Sequence, residues 1–271
     1  MPELPEVETT RRGIAPHVLN QTIKKVIVRN PRLRWPITNN LAVILHKQKI
    51  KKITRRGKYL LLHCDKGFLI IHLGMSGKLS IVENKLMARK HDHCELIFSH
   101  GKILRFNDPR RFGAILWTEA HPHQHPLLKN LGVEPLLKNF HKNYLYQQIQ
   151  NKNVTIKQLI MDGKIVVGVG NIYASEALFL AKILPTRAAQ TLSLQECDRL
   201  VAAIKKVLTR AIKAGGTTLK DFLQANGKPG YFSQKLLVYQ REATPCLDCG
   251  NPIQNIKLAQ RATYYCFSCQ K

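Results

Sequence analysis

Reactive side chains concentrate near the two ends of the 271-residue chain. Near its end stand Cys246-Leu247-Asp248-Cys249 and Cys266-Phe267-Ser268-Cys269, with sixteen residues between the pairs. Four thiolates in two tight pairs suit tetrahedral zinc, and each pair makes a turn whose amides can support its sulfurs. The opening residues are too acidic and too broken by proline for an export signal, so metal is expected here rather than disulfides. Gln260–Tyr265 reads as a strand between the pairs, which predicts a zinc-stapled β-hairpin. A zinc that only folds the tail is the plain alternative, yet the hairpin would still display Gln260, Arg261 and Thr263 where a basic finger reaches a phosphate.

At the other end, Glu3, Glu6 and Glu8 account for three of the 17 acidic residues. A methionine before a small residue is normally trimmed, which would leave Pro2 as a terminal secondary amine. An α-amine titrates near 8 against about 10.4 for lysine, so roughly a hundredfold more of it is free base at neutral pH. Its attack on a sugar C1′ would give an iminium, with Glu3 moving protons and Glu6 steadying the cation. Helix chemistry is the competing explanation, because carboxylates favour the start of a helix. It accounts for Glu6 and Glu8 and does less for Glu3.

The elements that must carry these groups fall into a clear order. Helical spacing runs through residues 5–19, despite Gly13 and Pro16. Short β-branched runs then predict strands at Thr22–Val28, Ile50–Arg55, Lys58–His63, Gly67–Leu73, Lys78–Val82, His93–Ser99, Lys102–Phe106 and Gly113–Trp117. Turn signals between them suggest an antiparallel sandwich or barrel. The histidine-rich stretch from His121 to Pro126 reads as a solvated loop rather than a metal site. Helices follow at Val154–Met161, Asn171–Lys182 and Ser193–Ala214. The last has a Ser193/Glu196 capping box, a stripe of Cys197, Leu200, Val201, Ile204, Leu208 and Ala211, and a Gly215-Gly216 stop. Cys64, Cys94 and Cys197 read as buried thiols.

Charge narrows the partner. Lys and Arg total 43 against 17 Asp and Glu, a formal net charge of +26. Residues 1–131 carry 24 basic against 9 acidic groups and 132–271 carry 19 against 8, so the excess is no tail effect. Such a balance points to a polyanion, most often nucleic acid, or else to a merely alkaline surface. With 44% hydrophobic residues the chain is globular. Its apolar runs are far short of the about 20 residues a membrane helix needs. A soluble, cytosolic protein is expected.

The stretch Met1-Pro2-Glu3-Leu4-Pro5-Glu6-Val7-Glu8-Thr9 resembles the start of the bacterial formamidopyrimidine-DNA glycosylase family, whose sisters are the endonuclease VIII enzymes. The likeness continues through Arg55–Leu60, His72–Gly77, Lys90–His93, Asp108–Gly113, Gly168–Ala174 and Gly215–Phe222, and ends in the four cysteines with Gln260-Arg261-Ala262-Thr263 between them. It covers essentially the whole chain. The resemblance implies an α+β multidomain protein: an N-terminal antiparallel β-sandwich with a leading helix (1–131), a helix–two-turns–helix domain (132–234) and a zinc β-hairpin (235–271). It implies a base-excision glycosylase and abasic-site lyase that removes oxidised purines from double-stranded DNA and cuts by β,δ-elimination. Pro2 matches the nucleophile, Glu3 the proton donor, Lys58 the lysine of the elimination steps and Arg261 the arginine of δ-elimination and phosphate binding.

His91, Arg110, Lys152 and Asn171 match DNA contacts, while Met75, Arg110 and Phe112 match the groups that fill the space left by a flipped nucleotide. Cys246, Cys249, Cys266 and Cys269 would hold one structural zinc. A monomer, cytoplasmic and nucleoid-associated through DNA, with no membrane partner, is implied. Core packing for Met75 and Phe112, a solvated strand-end lysine for Lys58 and a helix cap for Asn171 are the competing assignments. Gly57 stands where many relatives have alanine. The segment around Asn226–Tyr231 matches the variable base-capping loop. Leu4 and the Asp108–Gly113 motif favour the purine enzyme over the pyrimidine-preferring sister, and a non-catalytic zinc-ribbon DNA-binding protein is the rival of another class.

Overall fold

The computed structural model describes residues 2–83, 87–215 and 236–271. These form two compact units, one from the first 130 residues and one from 131–214 with 236–271. Gly216–Phe222 and the loop around Asn226–Tyr231 lie outside the described residues.

In the first unit a leading helix, α1 (Leu4–Val18), precedes eight strands and one short helix. These are β1 (Ile23–Val28), α2 (Leu41–Leu45), β2 (Lys52–Arg56), β3 (Tyr59–His63), β4 (Phe68–His72), β5 (Lys78–Glu83), β6 (Asp92–Phe98), β7 (Lys102–Asn107) and β8 (Ala114–Thr118). All eight strands stand where the β-branched runs place them, with ends shifted by a residue or two. They make two four-stranded antiparallel sheets, ordered β1-β6-β7-β5 and β2-β3-β4-β8.

One buried cluster joins Val26, Leu96 and Phe106 of the first sheet to Leu60, Leu62 and Ile71 of the second. Helix α1 adds Val7, Ile14 and Val18 to it and packs on β2 and β3 of one sheet and β5 and β7 of the other. Its first turn is thereby pinned to a large core, which fixes the direction of the residues before it. α2 was not expected, because its Leu-Ala-Val-Ile-Leu sequence carries strand formers in a run too short for helical periodicity.

The second unit contains α3 (Lys142–Ile149), α4 (Ile156–Met161), α5 (Asn171–Ala181), α6 (Leu194–Lys213) and the hairpin β9 (Gln254–Leu258) with β10 (Arg261–Tyr265). α6 has the expected capping box, since Glu196 N–H donates to Ser193 Oγ at 3.2 Å and Ser193 N–H to Glu196 at 2.9 Å. The whole expected stripe is buried, with Ala203 and Val207 added. α5 is buried on nearly every side and packs on α6 and on β10, so the hairpin rests on the helices. Among the described residues no helix is long and apolar enough to cross a membrane.

Candidate active site and nucleic-acid interface

Pro2 is half-buried and directly precedes Glu3, the N-cap of α1, which is 1% exposed. Glu6 is equally enclosed, and its Oε2 accepts the Glu3 N–H at 2.9 Å. That bond satisfies one of the free donors at the helix start. Glu8 departs from the dipole explanation. It sits in the second turn, where Arg11 (2.8 Å), Arg12 (2.8 Å) and Arg55 (3.3 Å) surround it. Burial works to raise the Glu8 carboxyl, but the hydrogen bonds and charge of these guanidiniums prevail and hold it at about 2.

Arg55 has a second task. Its Nη1 donates to Gly57 O at 2.9 Å, so one side chain joins α1 to the turn between β2 and β3. That turn is Gly57-Lys58, closing the Arg56–Tyr59 pair, and Gly57 takes φ +55°. A two-residue hairpin turn needs the left-handed region at its first position, which glycine enters without strain. Lys58 is thus held on a rigid turn whose anchor is the helix that carries Pro2 and Glu3.

A second group gathers on two turns of the same unit. Met75 lies after β4 and Phe112 before β8, each 40% exposed, which is not where core residues sit. The Arg110 guanidinium lies 4.8 Å over the Phe112 ring. Gly74 has φ +62°, and a Cβ there would meet Phe112 C at 2.4 Å and Gly113 N at 2.6 Å, so the turns touch backbone to backbone. His91, also at positive φ, accepts the Asp108 N–H on its carbonyl. Beside them Arg32, Leu33, Arg34, Arg110, Arg111 and Phe112 line an open groove of about 400 Å3, with no acid among them.

In the second unit Asn171 is the first residue of α5. It does not cap the helix, because Gly170 holds that place; its Nδ2 donates to Ala262 O at 2.9 Å. The buried Lys157 of α4 donates to the same carbonyl at 3.3 Å and to Thr263 Oγ1 at 2.7 Å. Arg261, one residue earlier, is exposed, as is Gln260. Thr263 corrects the sequence expectation: it is fully buried under Lys157 and displays nothing. Lys152 stands exposed between α3 and α4, its backbone held by Ile149 O and Gln190 N–H.

The four cysteine sulfurs lie within 4.8 Å of one another. Cys246 and Cys269 Sγ are 3.9 Å apart and Cys249 and Cys266 Sγ 3.5 Å, too long for disulfides. Four sulfurs about 2.3 Å from a central ion have edges near 3.8 Å, so the set fits one structural zinc. Asp248 N–H supports Cys246 Sγ at 3.4 Å. Glu176 of α5 takes the N–H groups of Leu237, Val238 and Tyr239, anchoring the segment that leads into the module. Among the described residues this is the sole group of His, Cys, Asp or Glu placed to hold a metal, and the His121 and His123 rings merely stack at 5.1 Å.

Three residues escaped the sequence reading. Asp108 and His72 lie inside quoted motifs without a role, and Lys157 was just one position in a helix. His72 accepts the Gly74 N–H on Nδ1 at 3.1 Å, which leaves Nε2 the donor. Burial, with help from Lys58 and Arg34, pushes its imidazole down to about 4, so it stays neutral at physiological pH.

Comparison with known proteins follows the same division. Residues 1–115 match the formamidopyrimidine-DNA glycosylase N-terminal domain, 131–223 the H2TH domain of those enzymes and 244–271 a zinc finger found in FPG and IleRS. The chain is 56% identical over all 271 residues to the formamidopyrimidine-DNA glycosylase of Hydrogenovibrio crunogenus, of which it covers 97%. Its fold is similar to that of the MutM (Fpg) protein of Thermus thermophilus, with TM-score 0.89, 37% identity, and coverage of 99% and 98% of the two chains. It is also similar to wild-type Lactococcus lactis Fpg in complex with DNA containing N7-benzyl-Fapy-dG, with TM-score 0.91, 34% identity and both chains covered in full.

Proposed function

The chain belongs to the formamidopyrimidine-DNA glycosylase family, and from that premise we propose that it excises oxidised purines from duplex DNA and then cuts the strand. The observation that carries the reading is the Pro2-Glu3 corner: a proline that becomes a terminal amine once Met1 is trimmed, a buried carboxyl at the helix start and, tied to that helix through Arg55, the Lys58 turn. With Met1 removed, the Pro2 nitrogen attacks C1′ of the lesion nucleotide as the base departs with the bonding electrons, and the proton that the nitrogen sheds neutralises the departing base. Glu3 gives the proton that opens the sugar and leaves an iminium on Pro2. The Glu3 carboxylate left by that step takes a C2′ proton as the 3′ phosphate departs with the C3′–O bonding electrons, and a second elimination expels the 5′ phosphate. Lys58 and Arg261 are the cations that serve these steps, and Glu6 steadies the iminium charge.

The remaining residues hold the substrate. Met75, Arg110 and Phe112 fill the space that the flipped nucleotide leaves, while His91, Lys152 and Asn171 hold phosphates. Zinc on the four cysteines folds the hairpin and takes no part in the chemistry. The protein acts on double-stranded damaged DNA as a monomer, in the cytoplasm at the nucleoid.

The test is borohydride trapping on a duplex with one 8-oxoguanine opposite cytosine, using protein whose intact mass shows Met1 absent. The expected product is a covalent complex mapping to Pro2. An adduct formed only with an oxidised pyrimidine assigns the chain the sister specificity, and none with either makes it a binding protein. Binding through about six to ten phosphates should also weaken steeply with salt.

A further inference from the structure

Asp108 has no exposed surface, yet it makes polar contacts to three separate segments. Its Oδ1 accepts the Ser76 hydroxyl at 2.6 Å and its Oδ2 the Gly113 N–H at 2.8 Å. Ser76 Oγ in turn accepts the Arg110 N–H at 3.2 Å. The Asp108 N–H donates to His91 O at 3.0 Å, and its carbonyl lies 2.8 Å from His93 Nε2. Met75 follows Gly74 in one of the joined turns, and Arg110 to Phe112 make up the other.

We infer that Asp108 is the positioning residue that locks these two turns into one rigid wedge, presenting Met75, Arg110 and Phe112 together to the vacated base stack. The inference rests on the wedge assignment made above. The three side chains are too exposed for packing to set their places, so the turn backbones must do it. Entering a stack is costly, and a wedge that had to order itself at that moment would add to the cost. A carboxylate suits the position because it accepts from an O–H and an N–H at once. An amide that kept the Gly113 N–H on its oxygen would turn its NH2 toward Ser76, so the hydroxyl would lose its acceptor and have to turn its own proton elsewhere.

Single-turnover excision of 8-oxoguanine from duplex tests this, beside cleavage of an abasic site in single-stranded DNA, where no stack needs filling. D108N and S76A should each slow duplex excision by about a hundredfold, the scale of a misplaced contact. Single-strand cleavage should hold its rate, and S76T, which keeps the hydroxyl, should restore duplex excision. Wild-type duplex rates in D108N and S76A would overturn the inference if M75A and R110A are slow. Wild-type rates in M75A and R110A would instead remove the wedge reading itself. Equal losses on both substrates in S76A would reduce Asp108 to a stabiliser of the fold and overturn it too. Should D108N fail to fold, S76A against S76T decides.

Discussion

Two hairpin turns of two residues each deliver a cation, and they are built by different means. The Gly57-Lys58 turn presents Lys58, uses glycine where φ is +55° and belongs to a four-stranded sheet over a large apolar core. The turn before Arg261 uses Ala259 at φ +45° and Gln260 at φ +61°, neither of them glycine, on a two-stranded ribbon. An isolated two-stranded ribbon is marginal in water. The second turn therefore needs outside help, from four thiolates and from Lys157 and Asn171 on the Ala262 carbonyl. A core lets a turn be held by its own sequence, whereas a small ribbon must be held by metal and by a buried charge.

The largest effect should come from zinc removal, since structural zinc supplies on the order of 10 kcal/mol to small modules. Chelation, followed by amide exchange, should release protection across 254–265 while the β2–β3 pair keeps its own. Loss of protection in both hairpins would break the contrast. Lys157→Met comes next. It leaves the Thr263 hydroxyl without its buried donor and the Ala262 carbonyl with Asn171 alone, a cost of about 2 kcal/mol. The zinc hairpin should open at a lower temperature and DNA affinity should fall, with exchange in the first unit unchanged.

The first turn is tested through acid. Glu8 holds Arg55, and its carboxyl is depressed from 4.5 to about 2. A depressed folded-state pKa means stability that is complete above about 4.5 and lost as pH falls toward 2. Screening by water around the partly exposed Arg12 reduces the contribution to about 2 kcal/mol. Urea unfolding of the wild type and Glu8→Gln should differ by that amount at pH 7 and converge near pH 2. A gap that persists at pH 2 would mean that Glu8 acts through shape and not charge.

The two turns also differ in how far the sequence discloses them. The strands of the first unit are legible because short apolar runs are broken by turn signals such as Asp65-Lys66-Gly67 after β3 and Ser99-His100-Gly101 after β6, and α6 because its stripe and capping box are local. The Cys spacing is local as well, and Pro2-Glu3 suggests its chemistry by type alone. Asp108 and Lys157 leave no such trace. Asp108 is defined by partners at 76, 91, 93 and 113, and Lys157 by one 106 residues away. Thr263 was misread for a related reason. Period-two alternation puts Arg261, Thr263 and Tyr265 on one face, and that face packs on α4 and α5. Arg261 stays exposed because it stands at the end of the strand. Which face of a ribbon is buried is decided by the neighbour it meets, and the ribbon's own sequence does not name that neighbour.

The smallest effect sharpens the contrast most directly, because the backbone settings of the two turns predict opposite signs for opposite swaps. A side chain in the left-handed region costs about 1 kcal/mol or more, while glycine enters it freely but gives up more chain entropy on folding. Ala259→Gly relieves the strain at φ +45°, and Gly57→Ala introduces it at φ +55°. The first should therefore raise the stability of the zinc hairpin by about 0.5 kcal/mol, and the second should lower that of the first unit by about 1 kcal/mol. Amide exchange at β10 and at β3 reads the two changes separately. Should Ala259→Gly instead loosen β10, the strained turn would be a rigid mount for Arg261 that stiffness serves better than ease. Strand cutting after base release would then fall with it, although no contact to Arg261 had been removed.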